Sequence, residues 1–416
     1  MSRPTTSDTP QPPKGPLRAA YDFLSGFGLA TVLLLILGLL TWFATLEQID
    51  HGLYPTLRKY FDWREWYVLP DFSWLDWWPT IGGNPLTFPL PGGYWTCALL
   101  LVNMTLGGII RIRKGWKSVG NLIAHFGIIF MLIAGGVAHH YSERGNMAVG
   151  EGAESNVAED YFEYVVEVAE IVDDKPDKVL VVRGDRIDGL AGGNGRVFRF
   201  PDLPFDLEIA GYLENCVPVS VNERAPSGER VVDDFYLMEK PGEKNAEANT
   251  AGCYARVVER DGSKGEPFIL AGASFHPFTL KHGDRVFTVD MRKRLWAMPF
   301  TVRLDEFDAR FHPGTMKPAK FISHITRIED GHEAPVVIQM NEPMRYEGLT
   351  FFQASYGPPG AMPGQKMYSV FEIVHNPADK WPEYSLYIVS FGMLVTFLTK
   401  LGGFVVTSTR KRSNHA

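Results

Sequence analysis

Residues 27 to 46 read FGLATVLLLILGLLTWFATL, twenty consecutive positions without an acidic or basic side chain. Crossing a hydrocarbon core of ~30 Å takes about 20 apolar residues wound as a helix, because nothing in that layer pairs with exposed backbone. The run is longer than the roughly 7–15 residues of a signal-peptide core, and no A-x-A-like cleavage site closes it, so it reads as a retained anchor. Tyr94 to Ile110, Val119 to Tyr141 and Tyr384 to Val406 are likewise long, apolar and poor in charge. Four transmembrane α-helices are expected.

The rest of the chain differs. Over 416 residues, hydrophobic side chains make up 45% and charged ones 21%, which excludes a membrane bundle throughout and leaves room for a soluble domain. A balance of 41 Lys+Arg against 48 Asp+Glu argues against a nucleic-acid partner. Between the third and fourth spans, FEYVVEVAEIV, KVLVVRG, RVFTVDM and APVVIQM are short β-branched runs bounded by Gly, Pro, Asn and Asp, and no helical period persists. That segment is expected to be a β-rich, sandwich or barrel-like domain. LPFDLEIAGYLENCVP (Leu203 to Pro218) parallels MPFTVRLDEFDARFHP (Met298 to Pro313), as two related strand units in one sandwich or barrel would.

Basic residues beside each span set the expected orientation. Arg111, Arg113, Lys114 and Lys117 follow the second span and Arg410, Lys411 and Arg412 follow the fourth, so both segments, and the N-terminus with them, are placed in the cytoplasm. The division expected is a disordered cytoplasmic tail over 1–24, three spans over 25–141 with an aromatic-rich outer loop at 47–93, an extracytoplasmic β domain over 142–383, and a last span with a basic tail over 384–416. The outer loop contains WREWYVLPDFSWLDWW (Trp63 to Trp78), read as an interfacial or partner-facing surface or as a platform for a flat aromatic ligand. The Pro- and Thr-rich N-terminus lacks the Arg-rich character of a transit sequence, which favours a bacterial plasma membrane.

Several chemistries are excluded. The sequence has no G-x-S-x-G, no H-E-x-x-H, no P-loop, no C-x-x-C and no C-x-x-C-H, so hydrolysis, ATP-driven transport, thiol exchange and covalent haem carriage are not expected of this chain. Cys216 and Cys253 lie in the external segment as either a disulfide or two buried thiols. No catalytic acid/base pair stands out.

Histidine inside the third span does stand out. His125 sits in NLIAHFGIIFMLIAGG (Asn121 to Gly136), where an ionisable ring is costly unless neutral and hydrogen-bonded, or coordinated to a metal or haem. The bland alternative is an interhelical hydrogen bond, with Asn103 as the partner. His139 and His140 follow ~21 Å along the same helix, and His139 lies within ~40° of the same face. His139 is thus a second candidate, the alternative being a pair of interfacial histidines in water. Lys400 snorkels from the last span and has no expected role.

These stretches resemble ResB-type (CcsB-type) cytochrome c biogenesis proteins of the System II pathway. The resemblance rests on FLSGFGLATVLLLILGLLTWFATLEQIDHGLY in the first span, on NLIAHFGIIFMLIAGGV in the third and on RGNMAVGEGAES after it. Most specific are PFTVRLDEFDARFHPGTMKPAKFISHITRI and VVIQMNEPMRYEGLTFFQASYG, the second similar to the family block N-x-P-L-x-Y-x-G-x-x-F-Y-Q, with Met344 and Phe352 in place of its Leu and Tyr. The resemblance implies a membrane complex with a ResC/CcsA-type partner, which brings haem b across the membrane and supports its attachment to apocytochrome c. A separate thiol-reducing protein would act indirectly. His125 matches the intramembrane histidine that the family is thought to use as an axial haem ligand; metal contact would be through haem iron only. No family motif aligns with His139 or His140. A membrane-anchored scaffold or ligand sensor without direct haem contact is the rival reading.

Overall fold

The structure, a computed structural model, describes residues 15–71, 77–193, 195–221, 230–315, 318–358 and 365–413. The chain divides into two compact units, Met1–Tyr141 with Pro377–Ala416, and Ser142–Asn376.

The helical unit contains α1 (Pro16–Leu24), α2 (Phe27–His51), α3 (Leu53–Phe61), α4 (Gly93–Asn103), α5 (Val119–Tyr141) and α6 (Trp381–Ser413). Among the described residues, four helical stretches are long and apolar enough to cross a membrane: Phe27–His51, Gly93–Ile110, Trp116–Tyr141 and Trp381–Thr409. Their outer faces expose Leu34, Leu35, Phe391, Phe397 and Phe404, a surface suited to lipid and unsuited to water. The last span starts at Trp381, one turn before the expected Tyr384. The expected tail is corrected at its inner end. Residues 16–24 form α1, since Pro16 presets the first helical turn and Leu17, Arg18, Ala19, Ala20 and Leu24 carry good helix propensity; residues 1–14 lie outside the described residues.

Small residues set the packing of α5 on α6. A methyl group on Gly392 would come within 2.5 Å of the Ala124 amide nitrogen, and one on Gly127 within 2.6 Å of Val389 Cγ2. The two backbones touch there because neither position carries a side chain. Ser385, buried in α6, donates its hydroxyl to the Gly127 carbonyl at 2.6 Å. At the end of α2, Gly52 at φ 84 turns the chain into α3. The turn brings Lys59 and Tyr60 onto the buried Glu47, whose carboxylate accepts from both. Burial beside that carboxylate pushes the Tyr60 phenol far up, so it stays a donor. Beyond α3, β1 (Tyr67–Val68) pairs with β4 (Leu90–Pro91) and β2 (Thr80–Ile81) with β3 (Asn84–Pro85). Residues 72–76 of the aromatic loop lie outside the described residues.

The second unit is β-rich, as expected. Its strands are β5 (Glu143–Gly150), β6 (Glu154–Val172), β7 (Lys175–Val182), β8 (Gly195–Phe198), β9 (Phe205–Leu213), β10 (Cys216–Ser220), β11 (Phe235–Glu239), β12 (Gly252–Glu259), β13 (Lys264–Ala271), β14 (Phe278–His282), β15 (Arg285–Phe311), β16 (Pro318–Glu329), β17 (His332–Gln339), β18 (Met344–Tyr346), β19 (Leu349–Gly357) and β20 (Tyr368–His375). A ten-stranded sheet runs β17-β16-β15-β6-β5-β20-β19-β18, with β14 on β15 and β7 on β6; β13-β12-β9-β8 form a second sheet, and β10 pairs with β11.

There are two main cores. In the first, Val166 and Val168 of β6 and Phe287, Val289 and Met291 of β15 pack on Phe205, Leu207 and Ile209 of β9, which makes a sandwich of the two sheets. In the second, Phe300, Val302 and Leu304 of β15 pack with Ile338, Met344, Phe351 and Phe371. Ile338 on β17 and Met344 on β18 come from opposite ends of the sheet order yet share this core, so this half curls toward a barrel. The long strands β6 and β15 serve both cores, and register shifts in their pairing, between Lys293 and Leu295 and between Ala297 and Val302, mark the passage.

The internal repeat acquires a different meaning here. Phe205, Leu207 and Ile209 fill the first core and Phe300, Val302 and Leu304 fill the second, so the Pro-Phe blocks are corresponding core strands of two halves and not partners in one sandwich. Full burial of each such side chain contributes about 1.5–3 kcal/mol. The N-x-P block also has a packing role. Met344 and Phe351 are buried, the Arg327 guanidinium lies 3.4 Å from the Tyr346 ring centroid, and Glu347 and Gly348 make the two-residue turn from β18 to β19 at φ 48 and 74. Behind the turn, Ser323 donates to Gln353 Oε1 at 2.6 Å, and Gln353 Nε2 donates to Ser369 at 2.9 Å.

Candidate functional site in the third span

Three polar groups anchor the end of the second span. Past Asn103 the helix loosens into a π-helical stretch, Met104–Ile110, closed by the bond from the Arg111 amide to the Leu106 carbonyl at 2.9 Å. Asn103 Nδ2 donates to the carbonyls of Leu24 and Gly26 at 2.6 and 3.0 Å, and Arg111 Nη1 donates to Ser25 Oγ at 2.8 Å. Gly107 completes the seat, because a Cβ there would stand 2.6 Å from the Ser25 carbonyl oxygen. The α1–α2 junction thus fixes the π-turn in place.

Gly108 lies two residues before the end of that turn, where helix carbonyls lack intrahelical partners. His125, half-buried on α5, places Nδ1 3.1 Å from the Gly108 carbonyl oxygen. Asn103, the expected partner, is committed to Leu24 and Gly26 instead, which corrects the alternative drawn from sequence. A carbonyl only accepts, so Nδ1 is the nitrogen that donates, and Nε2 is the one left to act as a ligand. Among the described residues Nε2 has no hydrogen-bond partner. An imidazole that donates Nδ1–H to a backbone carbonyl and leaves Nε2 open has the arrangement usual for a metal-ligating histidine. The closeness depends on glycine: a Cβ on Gly108 would lie 2.8 Å from His125 Nδ1 and 3.1 Å from its Cγ. Among the described residues, no group of three or more His, Cys, Asp and Glu side chains is placed to hold a bare ion. An iron already held by a porphyrin needs only an axial ligand.

The outer end of α5 forms a separate cluster. Tyr94 shares a 3.0 Å hydrogen bond between its hydroxyl and His140 Nε2, and its ring centroid lies 5.5 Å from that of His139. Both histidines are exposed. Trp66 stacks on Trp95 at 4.1 Å and 7°, and Trp95 Nε1 donates to the Trp63 carbonyl at 2.9 Å. His139 therefore keeps aromatic company at the interface, about 21 Å of helix away from His125. Lys400 on α6 is exposed.

In the β-rich unit the strongest polar features are structural. Glu208 accepts from Arg256 Nε and Nη2 at 2.8 and 3.0 Å and pairs with Lys264 at 2.8 Å; the Arg256 hydrogen bonds chiefly hold its carboxyl at about 2. Cys216 and Cys253 are both buried and unpaired, and burial pushes their thiols up to about 11 and 12.

Comparison with known families bears on the β-rich unit. Residues 260–364 match the ResB-like family. That segment is similar to the ResB-like family. It covers about a quarter of the chain, running from the hairpin before β13 past β19, and it contains the N-x-P block and most of the second core. This match supports a role in cytochrome c biogenesis. No curated protein matches the chain.

His125 is legible in the sequence as a candidate, and its contact with Gly108 is not. The available signal was the Gly107-Gly108 pair near the end of the second span, since small residues inside a span mark close approach of backbones.

Proposed function

We propose that this ResB-like protein is a subunit of a bacterial cytochrome c maturation complex that passes haem b across the plasma membrane with a ResC/CcsA-type partner. The observation that carries the reading is the pose of His125, with Nδ1 held by the Gly108 carbonyl and Nε2 open, in a chain whose external unit is ResB-like. In this reading both termini lie in the cytoplasm and the β-rich unit lies outside, as the basic segments at Arg111–Lys117 and Arg410–Arg412 favour.

The residues divide the work. Asn103 and Arg111 hold the π-turn, Gly108 orients the imidazole, and His125 offers one axial nitrogen to haem iron. One histidine fills one axial position, so the opposite ligand comes from the partner, and the isolated chain holds haem weakly. The β-rich unit positions the partner or the apocytochrome, and no residue in it is assigned to bond making. Reduction of the apocytochrome thiols belongs to another protein, because this chain has no C-x-x-C.

The test is His125→Ala in the co-purified complex. The variant is expected to lose the Soret band and cytochrome c maturation while the complex still assembles. An assembled complex whose colour and maturation are unchanged would leave the chain as a scaffold.

A further inference from the structure

The loop between the second and third spans carries more than orientation charges. A cleft of about 370 Å³ opens there, with Ile112, Trp116, Val119 and Leu122 as its apolar lining and Arg113 and Lys114 at its rim. Ser118 donates its hydroxyl to the Arg113 carbonyl, which folds the basic loop back over the start of α5. Arg111 is spent on Ser25, whereas among the described residues Arg113 and Lys114 make no ion pair. Leu122 precedes His125 by three residues, so the cleft begins ~4.5 Å of helix rise from the imidazole and within ~60° of its face. An apolar lining with two cations that make no ion pair among the described residues, about one helical turn from His125, is complementary to a flat apolar body that bears carboxylates on one edge.

We propose that this cleft receives the carboxylate edge of haem, with Arg113 and Lys114 as the anion-binding groups, about one helical turn before the His125 ligand. The proposal rests on the haem reading of His125 and adds a recognition element to it. Arg113 and Lys114 act on binding, so their loss weakens uptake without removing the axial ligand. The other occupant with the same chemistry is an anionic lipid headgroup, and the choice of probe separates the two.

The experiment uses the full chain with its partner in nanodiscs of phosphatidylcholine alone, titrated with haem b or with its dimethyl ester, which lacks free carboxylates. Wild type is expected to bind haem b more tightly than the ester. The R113Q/K114Q variant should bind haem b roughly three- to tenfold more weakly and the ester equally well, from the usual worth of partly exposed ion pairs. The charge-keeping R113K/K114R variant should restore haem b binding and so rule out misfolding. Equal affinities of wild type and R113Q/K114Q for haem b, with a Soret band that still needs His125, would overturn the cleft and spare the axial ligand. A Soret band indifferent to His125→Ala would instead overturn the reading beneath it. An effect of R113Q/K114Q that appears only when phosphatidylglycerol is added to the nanodiscs would assign the cleft to lipid and refute the proposal.

Discussion

Replacing Gly108 by Ala tests how the imidazole is held without touching the imidazole. The added methyl group would stand 2.8 Å from His125 Nδ1 and 3.1 Å from Cγ, well inside contact distance. Neither side yields easily. The π-turn is pinned by Asn103 and Arg111, and α5 is locked to α6 through Gly120, Gly127 and Gly392. The ring is the part free to move, and its 3.1 Å bond to the Gly108 carbonyl goes with it. Loss of one hydrogen bond costs about 0.5–1.5 kcal/mol, and overpacking a tight contact about 1–3 kcal/mol. If half of that sum falls on the ligating pose, haem affinity drops by roughly three- to fortyfold, since 1.4 kcal/mol is about tenfold. Soret titration of the purified complex measures it, with thermal unfolding in the same detergent to register the packing cost. Haem affinity and melting temperature both equal to wild type would refute the claim that Gly108 sets the ring.

Two further outcomes concern the β-rich unit. Arg256 and Lys264 depress the Glu208 carboxyl below its ordinary range, so the stabilisation it contributes is present at neutral pH and lost as pH falls toward about 2. Glu208→Gln should therefore lower the melting temperature at pH 7, with the gap to wild type closing in acid; a gap independent of pH would contradict the ion-pair account. Cys216 and Cys253, buried with raised pKa values of about 11 and 12, should resist alkylation at pH 8 in the folded protein and label after denaturation. Rapid labelling of either folded thiol, or a disulfide between them by mass spectrometry, would contradict their placement.

The parts that were legible in the sequence are those governed by local chemistry. A run such as Phe27 to Leu46 declares a span because length and hydropathy alone decide it, and His125 draws attention because an ionisable ring among Ile, Leu and Phe needs a reason. Non-local facts stayed hidden. The partner of His125 depends on a π-turn that brings the Gly108 carbonyl round to α5, and the reading of Asn103 as that partner failed because the α1–α2 junction claims it first. The two cores were likewise invisible, since the sequence offered only short runs such as FEYVVEVAEIV and RVFTVDM, which are pieces of the long strands β6 and β15 that serve both cores. Glu47 carries no signal in the sequence, where it only begins the outer loop, because the Lys59 and Tyr60 that make its burial tolerable lie one short helix later. Arg113 and Lys114 were read for their charge alone, and the cleft they border takes shape only once Ser118 folds the loop back.

The central claim is that His125 Nε2 is the nitrogen that grips haem iron, and chemical rescue addresses it most directly. His125→Gly in the co-purified complex opens a space shaped for imidazole, and the absorption spectrum is recorded with and without added imidazole. A Soret band lost in the variant and restored by imidazole is the predicted result. A band that persists without imidazole, or one that imidazole leaves unchanged, would contradict the account.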